Sequence, residues 1–362
     1  MSKRKLSVIL FCAVFLIAAV IIIVSRPCNQ GLYKVTIIPS LGGNFTLPQS
    51  INDKGQVAGF SEVSKGNYHL FLWDKENGIR DLGTVERNNI SINNGGQIAA
   101  SMKDPNGNTR SFVWNPNSGK TILPTLGGRN GFAQSINNLG QVVGLSQTTT
   151  GVDHPFIWDD VNGISDFIPN STARSRAWSI NDSGQIIVFV PGGTLLYKVN
   201  KDNIMTPIPV PVRGICTINN NGYVIGQVLL GQSKIDISTW HENFGQKSVF
   251  ISDTGSSSLG PSFHINDLNQ VIICEGQENT GPLAKILPPS HYKNYLVDPN
   301  LGTISLDGYI SVKRNEDLCL ININNSGCII GAIRSKTDAD SKGVLFEPVP
   351  EKMEKLIKKS GK

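Results

Sequence analysis

Along residues 33 to 347 the chain alternates short apolar runs with turns built from Asn, Asp and Gly, a pattern that predicts many short strands rather than long helices. One unit recurs, Ile-Asn-x-x-Gly-Gln-Val/Ile. It begins at Ile51, Ile92, Ile136, Ile180, Ile218, Ile265 and Ile323, and the steps between successive copies are 41, 44, 44, 38, 47 and 58 residues. That period is the range of propeller blades and is too long for the rung of a β-solenoid. The chemistry of the unit is that of a hairpin. Asn opens a type I turn by accepting from the backbone two residues on, and Gly three residues later takes the left-handed conformation that starts the next strand. In the sixth copy Asn269 replaces that Gly, and Asn is the residue best able to stand in for it.

A second signature, aromatic-x-Trp, follows the early copies at Phe71-Leu72-Trp73, Phe112-Val113-Trp114 and Phe156-Ile157-Trp158, and it degrades in later ones. Five residues after Trp a Gly recurs at Gly78, Gly119, Gly163 and Gly245, marking another hairpin, and a fourth short strand follows, as in Ile79 to Thr84 or Thr121 to Leu126. Four antiparallel strands per copy make one propeller blade, and seven blades lie in the usual range. The last copy supplies only three strands before Pro348. Tyr33 to Ile38, with the Leu41-Gly42-Gly43 exit, reads as the missing fourth, so this N-terminal strand is expected to complete the seventh blade and close the ring. The ring of residues 33 to 347 averages about 45 residues per blade. The excess length of the sixth copy, roughly Pro288 to Asp317, is expected to be a loop insertion and a candidate for function.

The N-terminus has a different grammar. Leu6 to Val24 are nineteen residues without a charge, long enough for one helix to cross a bilayer. Lys3, Arg4 and Lys5 precede the run, which places the N-terminus in the cytoplasm and the body outside it. The competing reading is a cleaved signal peptide, although the run exceeds the usual length and Ser25-Arg26-Pro27-Cys28 offers no small-x-small cleavage site. Both readings export the body. The expected division is therefore residues 1–26 as n-region and anchor or signal peptide, 27–350 as propeller and 351–362 as a basic tail. The body would face the periplasm of a bacterial inner membrane, or be extracellular if the segment is cleaved.

Composition adds exclusions. The net charge of +5 resides in the two ends, leaving the body near neutral, and no basic stripe with interleaved aromatics appears, so nucleic-acid binding is not expected. Gly at 37 and Pro at 19 reinforce the reading of many turns. The cysteines are Cys12, Cys28, Cys216, Cys274, Cys319 and Cys328; with Cys12 in the apolar run, five remain and at least one is unpaired, so there is no disulfide framework. Cys319 and Cys328 flank a hairpin turn, either as a cross-strand pair or as two free thiols.

The units resemble the HAF repeat of exported bacterial proteins, named for His-Ala-Phe before Leu-Trp. His69-Leu70-Phe71-Leu72-Trp73 and His154-Pro155-Phe156-Ile157-Trp158 match with the middle residue changed, and Leu126-Gly127-Gly128 and Gln141-Val142-Val143-Gly144 match closely. The resemblance is strong in the first three copies and fades after residue 190. It implies an exported repeat protein and assigns no site residue.

Signals of chemistry are sparse. HExxH, paired CxxC, GxSxG and dinucleotide-type GxGxxG are absent. Ser118-Gly119-Lys120-Thr121 mimics the end of a phosphate loop, but Trp114 holds the place of its first Gly and the segment joins two strands. His69 and His154 occupy equivalent places in different blades, and read as polar edge positions rather than as a shared metal site. The Asn-Asp turns carry too few carboxylates for a calcium shell. Asn44, Asn89 and Asn170 open N-glycosylation triplets of the sort that Asn-rich turns produce by chance. Met353, Leu356 and Ile357 share one helical face of the tail, either a membrane-surface helix or a solvated end.

No catalytic, metal or cofactor residue is therefore nominated. The expectation is a membrane-anchored or exported propeller that binds a protein or glycan without catalysis, in contact with the membrane only through its N-terminal helix. The alternative is a polysaccharide hydrolase or lyase using carboxylates from several blades. A purely structural subunit is a third class, and it would need a large apolar patch.

Overall fold

The computed structural model describes residues 31–169, 171–199, 205–230, 234–252, 262–277, 291–307, 316–335 and 340–360, and in it the repeated unit is a hairpin turn seven times over. In the first copy the Asn52 N–H donates to the Gln56 carbonyl and the Gly55 N–H to the Asn52 carbonyl, both at 3.0 Å. Gly55 sits at φ 76°, in the region an L side chain rarely visits. Asn269 keeps the same conformation at φ 59° and is the one non-glycine residue with positive φ among the described residues.

Each turn joins the first two strands of a four-stranded antiparallel sheet, and seven such sheets form the blades. Blade 1 comprises Thr46–Ile51, Val57–Ser64, Asn67–Asp74 and Gly78–Thr84. The third and fourth strands are joined by a turn in which a side chain at its start caps the backbone. Asp74 accepts from the Glu76 and Asn77 N–H groups, and Asp159 and Asp298 do the same in blades 3 and 6. For Asp74 and Asp159, burial raises the carboxyl pKa, but these bonds and those from Asn77 and Asn162 hold it below the ordinary value. The expected glycines 78, 119, 163 and 245 all take positive φ, as does Gly302, which the degraded signature of blade 6 hid.

The core is divided among the seams. Seven hydrophobic clusters occupy the contacts between successive blades. Phe71, Phe112 and Phe156 of the aromatic-x-Trp signature are fully buried, which explains why an aromatic recurs there. The expected closure is present. Tyr33–Ile38 pairs antiparallel with Ser341–Pro348, making the fourth strand of blade 7, and Ile38 enters the cluster between blades 7 and 1.

Four expectations are corrected. The fold class included a transmembrane helix. Residues 1–30 lie outside the described residues, and among the described residues no helix is long and apolar enough to cross a membrane, so the class stands as a seven-bladed all-β propeller with four antiparallel strands per blade. The stretch Pro288 to Asp317 is not one loop: His291–Asp298 and Gly302–Ser305 are the third and fourth strands of blade 6, and Glu316 begins blade 7. Residues 288–290 and 308–315 of that stretch lie outside the described residues. The strand expected from Thr121 to Leu126 runs Gly119–Ile122, because Pro124 has no N–H to continue the ladder. The tail forms a helix, Pro350–Ser360, whose Met353 packs on the cluster between blades 6 and 7 and whose Lys352 ammonium reaches the Gly31 carbonyl at 3.4 Å. It docks on the ring rather than fraying from it.

Candidate functional site

The repeated Asn is the busiest polar residue of the fold. Its side-chain amide donates across the seam to the backbone carbonyl of the equivalent Asn in the next blade, at 2.9 to 3.1 Å, in all seven blades. The last of these, from Asn324 to Asn52, closes the circle. A second circle lies beside it. The backbone N–H of the residue after each Asn donates to the side-chain oxygen of its counterpart one blade on, from Asp53 to Asn94 and finally from Asn325 back to Asp53, at 2.7 to 2.9 Å. The residue must be Asn or Asp because only these place an acceptor at that reach, and all seven copies have one. Ile-Asn-Asn/Asp is thus the clasp between blades.

These rings frame the mouth of a central channel of about 200 Å³. Below the mouth the channel is lined by the residue preceding each Ile: Ser50, Ser91, Ser135, Ser179, Thr217, His264 and Asn322. Ser50, Ser91 and Ser179 accept from the Ile N–H of the next blade. His264 is the outlier, a ring enclosed by the channel wall with its Nδ1 unpartnered. Burial lowers its pKa to about 4 despite the nearby Asp267, so the imidazole is neutral at pH 7. The carboxylates of the mouth are already committed. Asp53 receives both the N–H and the amide of Asn325 and the amide of Asn94, and Asp182 receives the N–H and the amide of Asn138.

The equivalent histidines serve their own blades. His69 Nδ1 lies 2.9 Å from the Asp81 carboxylate and His154 Nδ1 2.7 Å from that of Asp166, and each Asp also caps the exit of the fourth strand through Gly83 or Ile168 N–H. The phosphate-loop mimic is the hairpin leading into Gly119–Ile122 and opens no helix. Of the glycosylation triplets, the Asn89 amide is bonded to Gln134, Thr46 of the first is buried, and Asn170 lies outside the described residues. Cys319 and Cys328 do not pair. The Cys319 thiol instead faces Cys274 across the seam of blades 6 and 7, with sulfurs 2.8 Å apart, and all four described cysteines are free.

Two larger hollows open on the surface. On the face of the ring opposite the asparagine turns, a groove of about 800 Å³ lies between blades 1 and 2. Its wall is an aromatic cluster: Tyr68 packs edge-on to Phe45 and Phe60, and the Arg87 guanidinium lies 4.7 Å from the Tyr68 ring centre. Glu86, Asn67, Asn88 and Lys103 supply polar groups around it. The segment carrying Glu86 and Arg87 is strapped down by bonds from Val85 N–H to Tyr68 and from Glu86 N–H to Ser101, so the groove is preformed. Sequence reasoning missed these residues, since the linker after the fourth strand carries no repeated motif. The second hollow, about 540 Å³ at the seam of blades 7 and 1, gathers four carboxylates, Asp53, Asp74, Glu76 and Glu347. Asp53 is in the clasp, Asp74 caps its turn and Glu347 pairs with Lys75.

No family model and no curated protein matches the chain, which leaves the HAF resemblance resting on the motifs quoted above. Solved structures share the architecture. The β-propeller domain of the trilobed protease from Pyrococcus furiosus, described as having an open velcro topology, has TM-score 0.55 and 10% identity, over 82% of this chain and 94% of that one. TolB from Acinetobacter baumannii has TM-score 0.43 and 11% identity over 78% of this chain, which spans 61% of TolB. The WD40 domain of coronin from Toxoplasma gondii has TM-score 0.46 and 13% identity, over 88% of this chain and 85% of that one. At these identities the likeness shows the fold alone: a β-propeller.

Proposed function

We propose that the chain is an exported binding module that presents the face opposite the asparagine clasp to a glycan, and that it carries out no chemical step on it. The observation that carries this reading is the groove between blades 1 and 2. A half-buried tyrosine, a stacked arginine and flanking amide and carboxylate side chains offer stacking together with directional hydrogen bonds, the combination that fits a polar chain with apolar ring faces. The test is binding of the full chain to immobilised envelope polysaccharides, alongside a Tyr68→Ala/Arg87→Ala variant. Retention that falls about tenfold in the variant, with unchanged unfolding, is the expected result. Equal retention by both proteins overturns the assignment of the groove.

A second reading, a polysaccharide hydrolase or lyase, draws on the four carboxylates at the seam of blades 7 and 1. The same incubations, assayed for new reducing or unsaturated ends, decide it. Time-dependent release by the wild-type chain that disappears in Glu76→Gln would replace the binding-only reading.

A further inference from the structure

The outer register of the first three strands differs from blade to blade, and in blade 4 its side chains border a cavity. In blade 1, Leu47, Phe60 and Leu70 stand side by side on the first three strands, and in blade 3 the same register holds Phe132, Leu145 and Pro155. All six are apolar. In blade 4 the trio is Arg176, Phe189 and Thr194. Two residues further along the first strand, where the Gln49 side-chain oxygen accepts from the Ile90 N–H of the next blade and that of Gln134 from the Asn89 amide of the preceding one, blade 4 has Trp178. The cavity, of about 180 Å³, lies in the seam of blades 4 and 5, on the same face as the groove described above but several blades away.

Its walls have distinct characters. Trp178, Ile187 and Phe189 form apolar sides, and Cys216 of blade 5 lies at the inner end, 1% exposed. Burial pushes the Cys216 thiol up to about 12, outweighing the opposing contact with the Thr194 hydroxyl, so this end of the cavity is uncharged at neutral pH. The Thr194 hydroxyl is buried, and among the described residues its neighbour is the Cys216 thiol, a weak partner that leaves its capacity for a strong hydrogen bond unused. At the rim the exposed Arg176 guanidinium lies 4.9 Å from the Trp178 ring centre and 5.6 Å from that of Phe189. Among the described residues it has no carboxylate partner. A guanidinium held against two aromatic rings keeps its N–H edges available for a planar anion.

We propose that this cavity binds an organic carboxylate bearing one compact apolar group, with the apolar group between Trp178 and Phe189, the carboxylate on Arg176 and a polar edge on the Thr194 hydroxyl. Enclosed apolar walls select the body, the single cation at the rim selects the charge, and the size admits one ring or one branched side chain. Two sources supply that chemistry: a free aryl or alkyl carboxylate, or the C-terminal residue of a peptide. The site stands independently of the groove between blades 1 and 2.

The test uses the full chain, with calorimetry and the tryptophan fluorescence change that Trp178→Phe removes as readouts, and three probes: phenylacetate, its neutral amide and a tripeptide ending in Phe. Saturable binding of phenylacetate is expected. Arg176→Gln, an exposed substitution, should weaken it about tenfold or more, as loss of a charge-assisted contact does. Thr194→Leu restores the residue of blade 1, fills the cavity and should abolish binding while leaving the unfolding midpoint unchanged or raised. Tighter binding of the tripeptide assigns the site to peptide C-termini, and binding of phenylacetate alone assigns it to small acids. Equal affinity for the amide, undiminished binding by Thr194→Leu, or failure of every probe to saturate overturns the proposal.

Discussion

At the scale of the residue, the repeated Asn shows how one side chain can exhaust its capacity. Asn137 donates to Gln141 Oε1 and to the Asn181 carbonyl while its own oxygen accepts from the Leu139 and Gln141 N–H groups, and it is 3% exposed. Such a residue reads in sequence like a ligand and behaves in the fold like a rivet, because a buried amide is tolerated only when every bond is made. His264 is the opposite case, a polar group in the channel with an unpartnered nitrogen. Its native pKa of about 4 lies below the 6.5 of an unfolded histidine. Above about pH 6.5 it is neutral in both states. As the pH falls toward 4 the unfolded chain takes up a proton that the native chain does not, so stability falls through that window. The expected loss by pH 5 is about 2 kcal/mol. His264→Ser installs the residue found at this place in four other blades and should flatten the curve between pH 7 and 5. Urea unfolding at the two pH values measures it, and parallel losses in both proteins would show that the channel histidine is not the cause. The lowered carboxylates of Asp74 and Asp159 act separately, since their contribution is present above the ordinary carboxylate pKa and is lost only as the pH falls through their lower native values.

At the scale of the element, neighbouring blades cover for each other's departures from the repeat. In five copies the Asn amide that crosses the seam also donates to the Gln that ends its own unit, at 2.7 to 2.9 Å. Blade 5 has Tyr223 there instead, and its Asn219 amide turns to Asn269 Oδ1 of blade 6 at 2.8 Å. Asn269 is the residue that replaced the turn glycine, so the irregular sixth turn supplies the acceptor that the fifth unit lacks. Asn269→Gly should therefore cost about 1 kcal/mol even though glycine is the easier residue at φ 59°, and adding Tyr223→Gln should recover most of it. A double-mutant cycle by chemical unfolding reads the coupling; additive effects would mean the two turns are independent. The hairpins themselves were legible in the sequence because turn chemistry is local: Asn, Gly and their spacing determine φ within a few residues. The strand Tyr33–Ile38 was legible for the same reason, through its Leu-Gly-Gly exit, and the structure seats Leu41 and Leu126 N–H on equivalent serines, Ser61 and Ser146. What escaped was whatever depends on two blades at once. The strand His291–Asp298 was hidden where Val297 stands in place of Trp, and the Cys319 partner, Cys274, is 45 residues away in sequence. The grooves escaped because their residues sit in linkers and at departures from the repeat, where periodicity carries no signal.

At the scale of the whole molecule, stability is a property of the ring. Each cluster of apolar residues belongs to a seam and not to a blade, so an isolated blade would expose two apolar faces, and seven seams exist only if the last blade meets the first. That meeting is held twice. On the asparagine face Asn324 and Asn325 bond to Asn52 and Asp53, and at the periphery Tyr33–Ile38 adds the outer strand to Ser341–Pro348. The strand is anchored at its two ends, with Tyr33 buried in the seam of blades 6 and 7 and Ile38 in that of blades 7 and 1, while Val35 and Ile37 between them are exposed at 44% and 52%. Removing residues 33 to 38 should thus remove two core side chains and leave the edge at Ser341–Pro348 open, destabilising the ring by several kcal/mol and promoting association through that edge. Val35→Lys/Ile37→Lys, which alters only the exposed positions of the same strand, should leave the unfolding midpoint within about 0.5 kcal/mol of wild type. Calorimetry with light scattering on the three proteins separates the cases. If the deletion unfolds at the wild-type temperature as a monomer, the clasp of asparagines closes the ring alone; if the double lysine variant falls as far as the deletion, positions 35 and 37 are covered by something other than solvent.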